Sequence, residues 1–343
     1  MSTPESEPPT FSRRCWADRS EAAAGLLDEQ GQNAMIDDIK TTKCVTPEYD
    51  DFVKSFIATH AANSKPTVKI ARKLCDTWPM PKQTTTPTIR VAVMDSSFNP
   101  PHYCHGAYIE CMGITKPKSE DQRQKKVDEG QSLDIDAFLL LLGSQNADKP
   151  QQGASLAQRM RMVDMLATTV AADEASDTWH SWKNRNEFDA SNLHNMAIGM
   201  VNTPRFIDKS QAVRDIVRQE YKGSDMPQVL CFFAMGWDTL IRFFDAKYYG
   251  PDYLAEIDQF FAEGGRIAYA RRMGFLDSDV EEFFVAARIA PYLCFIYELE
   301  LPERVKHISS TQVRRAISEN SHGVHDTPPR ILEYINSNQL YRD

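Results

Sequence analysis

The sequence predicts an α/β protein built on a doubly wound parallel sheet, and two observations support this fold class. Five short apolar runs have the length of strands and lack the alternation typical of a sheet with one exposed face: residues 89–94, 137–142, 229–235, 267–270 and 293–299. Amphipathic stretches of helical length lie between them, among them residues 154–170 and 209–221. Strands that are buried on both faces and separated by helices form parallel sheets covered by helices on either side.

The chain changes character near residue 88. The first dozen residues are polar and contain prolines, and we expect them to be disordered. Residues 20–74 show helical spacing, with apolar side chains at 52, 53, 56 and 57 and again at 68, 70, 71 and 74. Prolines interleaved with threonines then indicate an extended linker. We therefore predict a helical N-terminal extension over residues 1–87 and a single domain over residues 88–343. Two strongly polar segments, 116–131 and 173–187, are predicted insertions.

The residue counts restrict the partners. With 39 basic and 48 acidic residues the formal charge is −9, so we expect no general basic surface for nucleic acid. The apolar runs are too short to cross a bilayer, and the first ten residues do not resemble a signal peptide. The seven cysteines form no CxxC pair and no zinc-finger spacing. We expect a cytoplasmic or nuclear protein that binds neither nucleic acid nor membrane. Its oligomeric state stays open, and the N-terminal extension could hold a protein partner.

A first candidate motif follows the strand predicted at 89–94. Residues 97–105 have the sequence Ser-Phe-Asn-Pro-Pro-His-Tyr-Cys-His and lead into a predicted helix. The free N–H groups and the dipole of a helix N-terminus favour phosphate. His102 and His105 can each donate an N–H to the same anion and stabilise charge that develops on it. A metal site is the alternative, but the sequence places no third His or Cys ligand beside this pair.

A second candidate motif lies near the C-terminus. Residues 308–315 have the sequence Ile-Ser-Ser-Thr-Gln-Val-Arg-Arg and precede a helical stretch. A serine or threonine at a helix start commonly caps the helix, and a cap needs one hydroxyl. Ser309, Ser310 and Thr311 supply three, and Arg314 adds a cation. This excess of donors at one helix N-terminus favours a polyphosphate ligand.

Together the two motifs resemble a known family. Residues 97–105 are similar to the phosphate loop of the nicotinamide-mononucleotide adenylyltransferase group, and 308–314 match the ISSTxxR signature of the HxGH nucleotidyltransferase superfamily to which that group belongs. Residues 95–101 resemble a divergent fungal branch of the group. Ser96 and Cys104 stand where the signature has glycine, and these extra side chains bear on the rate more than on the fold. The resemblance covers residues 89–341 and implies a Rossmann-like nucleotidyltransferase fold.

The resemblance also implies a set of site residues. His102 and His105 would hold the α-phosphate region of ATP, Arg314 the leaving pyrophosphate, and Asp238 the ribose hydroxyls. The other residues implied to contact ATP or its phosphates are Ser97, Phe98, Asn99, Lys149, Gly236, Ser309, Ser310 and Thr311, and those implied to contact the mononucleotide are Asn146 and Trp237. Trp237 is a better candidate than Trp179 or Trp182 for stacking on a pyridinium ring, and packing is the alternative role for each.

The activity implied by the resemblance is adenylyl transfer from ATP to nicotinamide mononucleotide, which yields NAD and pyrophosphate. The acceptor phosphate attacks in line without a covalent intermediate, and Mg²⁺ enters with ATP rather than at dedicated protein ligands. Two alternatives stay open. One is AMP or CMP transfer to a different phosphorylated acceptor, such as nicotinate mononucleotide or phosphopantetheine. The other is a protein that binds or slowly hydrolyses ATP and acts through protein partners.

Overall fold

A computed structural model of the chain describes residues 49–60, 65–81, 88–114, 135–144, 153–171, 193–271, 277–286, 288–321 and 325–342. These residues belong to one compact unit, Pro47–Asp343. The predictions for residues 1–48, and for the insertions at 116–131 and 173–187, fall outside the described residues. The boundary between residues 87 and 88 stays a prediction.

Seven strands of the described residues form one sheet in the order β1-β4-β3-β2-β5-β6-β7. Strand β1 is antiparallel to β4, and all other neighbouring pairs are parallel. The strands are β1 (Val68–Lys73), β2 (Thr88–Ser96), β3 (Ala137–Gly143), β4 (Met196–Val201), β5 (Gln228–Gly236), β6 (Gly265–Ala270) and β7 (Ile296–Leu299). The predicted α/β fold class, a doubly wound sheet of mostly parallel strands, is confirmed.

Helices cover both faces of this sheet. The α-helices of the described residues are α1 (Tyr49–Thr59), α2 (Tyr103–Ile114), α3 (Leu156–Ala171), α4 (Phe206–Glu220), α5 (Trp237–Phe243), α6 (Tyr253–Ala262), α7 (Asp277–Val285), α8 (Glu303–Lys306), α9 (Ser310–Ser318) and α10 (Pro329–Ser337). Short 3₁₀ helices occupy Ala246–Tyr248 and Ala290–Phe295. In the part of the chain that the structure describes, no helix combines the length and the apolar character needed to span a membrane.

Each face of the sheet packs on its own layer of helices. On one face, Ala92 and Met94 of β2 join a buried apolar cluster with residues of α1, α2, α3, α9 and α10. On the other face, Val91 and Val93 join a second cluster with residues of α4, α5, α6 and α7. Since successive side chains of a strand point to opposite faces, β2 is buried on both. This burial explains why the apolar runs lack alternation.

The direction of winding reverses between β2 and β5. From this pair the chain runs through β3 to β4 on one side, and through β6 to β7 on the other. Strands β2 and β5 pair directly, with Thr88 opposite Gln228 and Met94 opposite Ala234. In doubly wound sheets, ligands bind beyond the carboxyl ends of the strands at such a reversal. The loop after β2 and the beginning of α5 after β5 occupy this position.

The chain before residue 88 contributes to the same sheet. Helical spacing at residues 52–57 corresponds to α1, which is a helix as expected. The helical spacing at residues 68–74 instead corresponds to a strand, because Val68–Lys73 forms β1 and pairs with β4. The pairing register shifts between Ile70 and Arg72. This irregularity interrupts the two-residue period of a strand, so that the apolar residues acquire a spacing that a helix would also show.

Candidate functional site

The two sequence motifs meet at the reversal between β2 and β5. Arg314 Nη1 donates a hydrogen bond of 2.6 Å to the carbonyl oxygen of Asn99. Ser310 Oγ donates one of 2.9 Å to the carbonyl oxygen of Pro100. These partners are 215 and 210 residues apart in sequence. The loop after β2 and the first turn of α9 therefore form a single structural unit.

The loop between β2 and α2 is held by burial as well as by hydrogen bonds. Phe98 is fully buried and has a φ of 44°, a left-handed conformation that is rare for a bulky side chain. Its ring centroid lies 5.0 Å from that of His105. Asn99 is also buried, and its Oδ1 accepts a 2.7 Å hydrogen bond from the Tyr341 hydroxyl. A loop held in this way keeps its donors at fixed positions, which suits the binding of an anion.

His102 and His105 pack against each other at the beginning of α2. Their ring centroids are 3.8 Å apart, and the residues are only 1% and 5% exposed. The backbone N–H of His102 donates to His105 Nδ1 over 3.1 Å, and the backbone N–H of His105 donates to the carbonyl of His102 over 2.9 Å. The other ring nitrogen of His105, Nε2, lies 3.1 Å from Ser96 Oγ at the end of β2. The two imidazoles thus form one rigid pair.

The three hydroxyls at the beginning of α9 have different partners. Ser309 is the N-cap, and its Oγ accepts a 3.3 Å hydrogen bond from the backbone N–H of Gln312. Ser310 holds the carbonyl of Pro100, as described above. Thr311 Oγ1 accepts a 3.3 Å hydrogen bond from Arg314 Nη2. One hydroxyl is therefore sufficient for the cap, and the other two connect the helix to the loop and to the arginine.

A second arginine lies in the neighbourhood of Arg314. Arg159 of α3 is buried, and its Nε donates a 2.7 Å hydrogen bond to the carbonyl of Ala154. Burial lowers the pKa of Arg159, and the positive charge of Arg314 lowers this pKa further. Burial also raises the pKa of Tyr341, whose hydroxyl donates to Asn99 Oδ1. Two guanidinium groups near one loop create a positive potential that favours an anionic ligand.

The residues that follow β5 lie at the same edge of the sheet. Gly236 is the N-cap of α5, and the half-exposed Asp238 in its first turn pairs with Arg242 Nη2 at 2.5 Å. The sequence predicts that Trp237 faces a ligand, but this side chain is 1% exposed. Its indole packs against the aromatic side chains Tyr269, Phe283 and Phe284. Packing therefore accounts for Trp237 in this structure, because other rings cover its indole.

A cavity of about 110 Å³ lies beside α5. Its lining combines aromatic rings with two arginines: Pro204, Arg205, Phe206, Thr239, Arg242, Phe243, Tyr248 and Tyr249. Arg205 also forms ion pairs with Asp208 and Glu256. The cavity is not predicted from the sequence, because its walls come from three segments that are separate along the chain.

The polar groups around the loop suit phosphate better than a metal ion. Imidazole, hydroxyl and guanidinium groups from His105, Ser310 and Arg314 converge on residues 96–102. Such groups supply N–H and O–H donors, which match phosphate oxygens. Within the described residues, no three His, Cys, Asp or Glu side chains form a group that could hold a metal ion.

Comparison with known proteins gives a distant relative. A protein of Schizosaccharomyces pombe named "Putative nicotinamide mononucleotide adenylyltransferase" is 26% identical to this chain over 267 residues. The match covers 74% of this chain and 86% of that protein. The chain is its distant homologue. The resemblance to the nicotinamide-mononucleotide adenylyltransferase group is thus confirmed as a distant homology. No protein-family model matches the chain.

The structure connects most of the residues that the adenylyltransferase resemblance implies. Direct contacts join one group of them: Phe98, Asn99, His102, His105, Ser310, Thr311 and Arg314. Ser97 lies in the same loop, Ser309 caps α9, and Gly236 and Asp238 follow the neighbouring strand. Four predicted residues lie outside the described part of the chain: Asn146, Lys149, Trp179 and Trp182. The functional roles of all these residues stay predictions.

Three residues near the loop were not predicted as contacts. In the sequence, Ser96 is visible only as a departure from the glycine of the signature. Arg159 comes three residues after Leu156 and four before Val163, both buried, so a charge on the apolar side of a helix was an available signal. Tyr341 carries no such signal, because its partner Asn99 lies 242 residues away.

Proposed function

We propose that this protein transfers an adenylyl group from ATP to nicotinamide mononucleotide, forming NAD and pyrophosphate. The observation that carries the proposal is the direct attachment of the first turn of α9 to the loop after β2, through Ser310 and Arg314. This attachment joins the two candidate motifs at the reversal of the sheet. The distant relative, which is named for this activity, adds independent support.

Adenylyl transfer requires that the two substrates are aligned and that the negative charge on their phosphates is neutralised. A phosphate oxygen of the mononucleotide attacks the α-phosphorus of ATP, and the bond from that phosphorus to the bridging oxygen breaks. Pyrophosphate leaves with the electron pair. In this proposal His102 and His105 hold the α-phosphate, and Arg314 holds the leaving pyrophosphate, with Ser309 and Thr311 nearby. Fixed donors aimed at developing charge stabilise such a transition state without rearrangement during the reaction.

Mg²⁺ forms part of the substrate in this proposal. The side chains around the loop supply donors for phosphate oxygens, so the ion would be held by the phosphates of ATP themselves. Bound in that way, it neutralises phosphate charge. The protein groups then position the nucleotide through Arg314 and the loop 97–102.

The cavity beside α5 supports a mononucleotide as the acceptor. Rings of Phe206, Phe243, Tyr248 and Tyr249 offer apolar faces for a planar base. Arg205 and Arg242 provide cations for a phosphate, although both also pair with carboxylates. The choice of the nicotinamide form follows from the name of the distant relative. A cytoplasmic or nuclear location, and a partner bound by the N-terminal extension, belong to the same proposal.

A second candidate function is supported by the contact between Ser96 and His105. The Ser96 hydroxyl lies against Nε2, the ring nitrogen that could otherwise donate directly to a phosphate. A site altered in this way could bind ATP or hydrolyse it slowly, and the protein would then act through other proteins. The two candidates differ in their products.

The deciding experiment is an incubation of the purified full chain with ATP, Mg²⁺ and a panel of mononucleotides. We expect equal amounts of pyrophosphate and NAD with nicotinamide mononucleotide. A different dinucleotide would identify another acceptor. Release of inorganic phosphate alone, with every mononucleotide, would reject adenylyl transfer and favour the second candidate. The matched control is Arg315→Lys, since Arg315 lies on the same helix as Arg314 but pairs with Glu319 at the exposed surface.

A further inference from the structure

The Ser96 hydroxyl lies at the end of β2, next to the loop that joins the two motifs. In the sheet Ser96 is opposite Leu142 of β3. It follows Met94 by two residues and therefore faces the layer that contains α2. Its Oγ is 3.1 Å from His105 Nε2 and 3.5 Å from the backbone nitrogen of Phe98. The sequence interpretation treats this residue only as a departure from glycine.

The hydrogen bonds of His105 determine where its proton lies. The backbone N–H of His102 can only donate, so His105 Nδ1 is the acceptor in their 3.1 Å hydrogen bond. A neutral imidazole that accepts at Nδ1 carries its proton on Nε2. Nε2–H therefore donates to Ser96 Oγ. This assignment follows from the hydrogen-bond network.

Because Ser96 Oγ accepts this hydrogen bond, its own hydroxyl proton does not point towards the imidazole of His105. Its oxygen accepts from His105, and the more distant contact with Phe98 also involves a donor. Among the described residues, these two are the hydrogen bonds of Ser96 Oγ, and neither of them uses its hydroxyl proton. A hydroxyl that accepts one hydrogen bond becomes a stronger donor of the next, because hydrogen bonds in a chain polarise one another. The chain runs from His102 N–H through the imidazole of His105 to Ser96.

We propose that the Ser96 hydroxyl donates to a phosphate oxygen of the nucleoside triphosphate, and that His105 acts on this phosphate through Ser96. The inference rests on the proposed function and specifies one contact of that site. The serine that stands in place of glycine then adds one hydroxyl donor to the phosphate site. This inference changes one role in the proposed function: His105 does not touch the phosphate itself but positions Ser96, and Ser96 touches the substrate.

The test is a cycle of Ser96→Ala, His105→Ala and the double variant, with turnover measured under saturating ATP. Loss of one such donor lowers turnover by about 10²–10³-fold. We expect turnover to fall by a similar factor in each single variant. In the double variant it should fall by no more than in the more strongly affected single variant. Ser96→Thr, which keeps the hydroxyl, should restore most of the activity. Ser318→Ala, at an exposed position late in α9, is the control and should leave turnover unchanged.

Two outcomes of the cycle would overturn the inference. Unchanged or increased turnover in Ser96→Ala would mean that the hydroxyl only occupies His105 Nε2. Losses that multiply in the double variant would mean that the two residues act independently. Circular dichroism of each variant checks that the fold is retained.

A separate measurement distinguishes this inference from failure of the proposed function. If no mononucleotide is adenylylated, titration calorimetry with Mg·ATP still tests the contact. Ser96→Ala and His105→Ala should weaken ATP binding by similar factors, and the double variant should bind ATP no more weakly than the weaker of the two. Imidazole ¹⁵N spectra of the free protein provide a further readout. We expect His105 to carry its proton on Nε2. A proton on Nδ1, or equal ATP affinity in both variants and the parent, would exclude the chain of hydrogen bonds.

Discussion

At the scale of single residues, Arg314 has two functions at the junction of the motifs. One nitrogen of its guanidinium donates to Asn99 and another donates to Thr311. Lysine could supply the charge but not this planar fork with its fixed directions. The sequence predicts that Arg314 is a phosphate ligand, and this stays a prediction. It could not reveal that the same side chain binds a carbonyl of the loop after β2.

Replacement of Arg314 by lysine separates charge from geometry. We expect Arg314→Lys to weaken ATP binding by roughly 10- to 100-fold, since hydrogen bonds to charged groups contribute about 1.5–3 kcal/mol each. Titration calorimetry with Mg·ATP measures the change. Arg315→Lys should bind ATP like the parent protein, because exposed ion pairs contribute little. Equal affinities in Arg314→Lys and the parent would show that charge alone is sufficient.

At the scale of elements, the beginning of α9 combines a helix cap with a candidate phosphate contact. Ser309 Oγ satisfies the N–H of Gln312, and Ser310 and Thr311 carry the connections to the rest of the site. Of the two roles that the sequence offers as alternatives, the cap is observed at Ser309, and the phosphate contact stays a prediction for Ser310 and Thr311. The element can lose its cap without losing those connections.

Variants of Ser309 test this division of roles. We expect Ser309→Ala to lower the free energy of unfolding by about 1 kcal/mol, which is typical for loss of an N-cap. Ser309→Asp should retain the stability, because a carboxylate also caps, yet its negative charge should weaken ATP binding. Urea denaturation and calorimetry measure the two effects. A Ser309→Ala variant as stable as the parent would mean that another group caps α9.

The strands show how far sequence periodicity predicts elements. Strands β2, β3, β5 and β6 are predicted from the sequence because each contains a short run of apolar residues. Strand β4 has a similar run but contains Gly199, a residue disfavoured in strands. A Cβ at Gly199 would lie 2.9 Å from the carbonyl oxygen of Lys69 in β1, so the approach of that edge strand explains the glycine. Such a cause becomes visible only when the pairing of strands is known.

At the scale of the whole molecule, a buried ion pair ties the sheet to the layer opposite the histidines. Lys209 Nζ of α4 lies 2.5 Å from Asp95 Oδ2 of β2, and the two side chains are 8% and 9% exposed. Asp95 directly precedes Ser96, so the pair fixes β2 from one face while the imidazole of His105 contacts Ser96 from the other. Neither the pairing nor its burial could be predicted, since the two residues are 114 positions apart.

Removing the negative charge of Asp95 should lower the stability of the fold. We expect Asp95→Asn to lower the free energy of unfolding by about 3–5 kcal/mol, because it leaves the buried ammonium of Lys209 without its counter-charge. Glu319→Gln, which breaks an exposed pair with Arg315, should change the free energy by less than about 0.5 kcal/mol. Chemical denaturation followed by tryptophan fluorescence measures both. Similar small changes in the two variants would show that water or another group solvates Lys209.

The contacts of Asn99 have a consequence for synthesis of the protein on the ribosome. Its carbonyl oxygen binds Arg314 and its side chain binds Tyr341, which are translated 215 and 242 residues later. Strands β2 to β6 have all been made before either partner exists. A nascent chain can thus complete most of its sheet while the loop after β2 still lacks the groups that shape it. The contacts of Asn99 would accordingly form only after residues 314–341 have been translated.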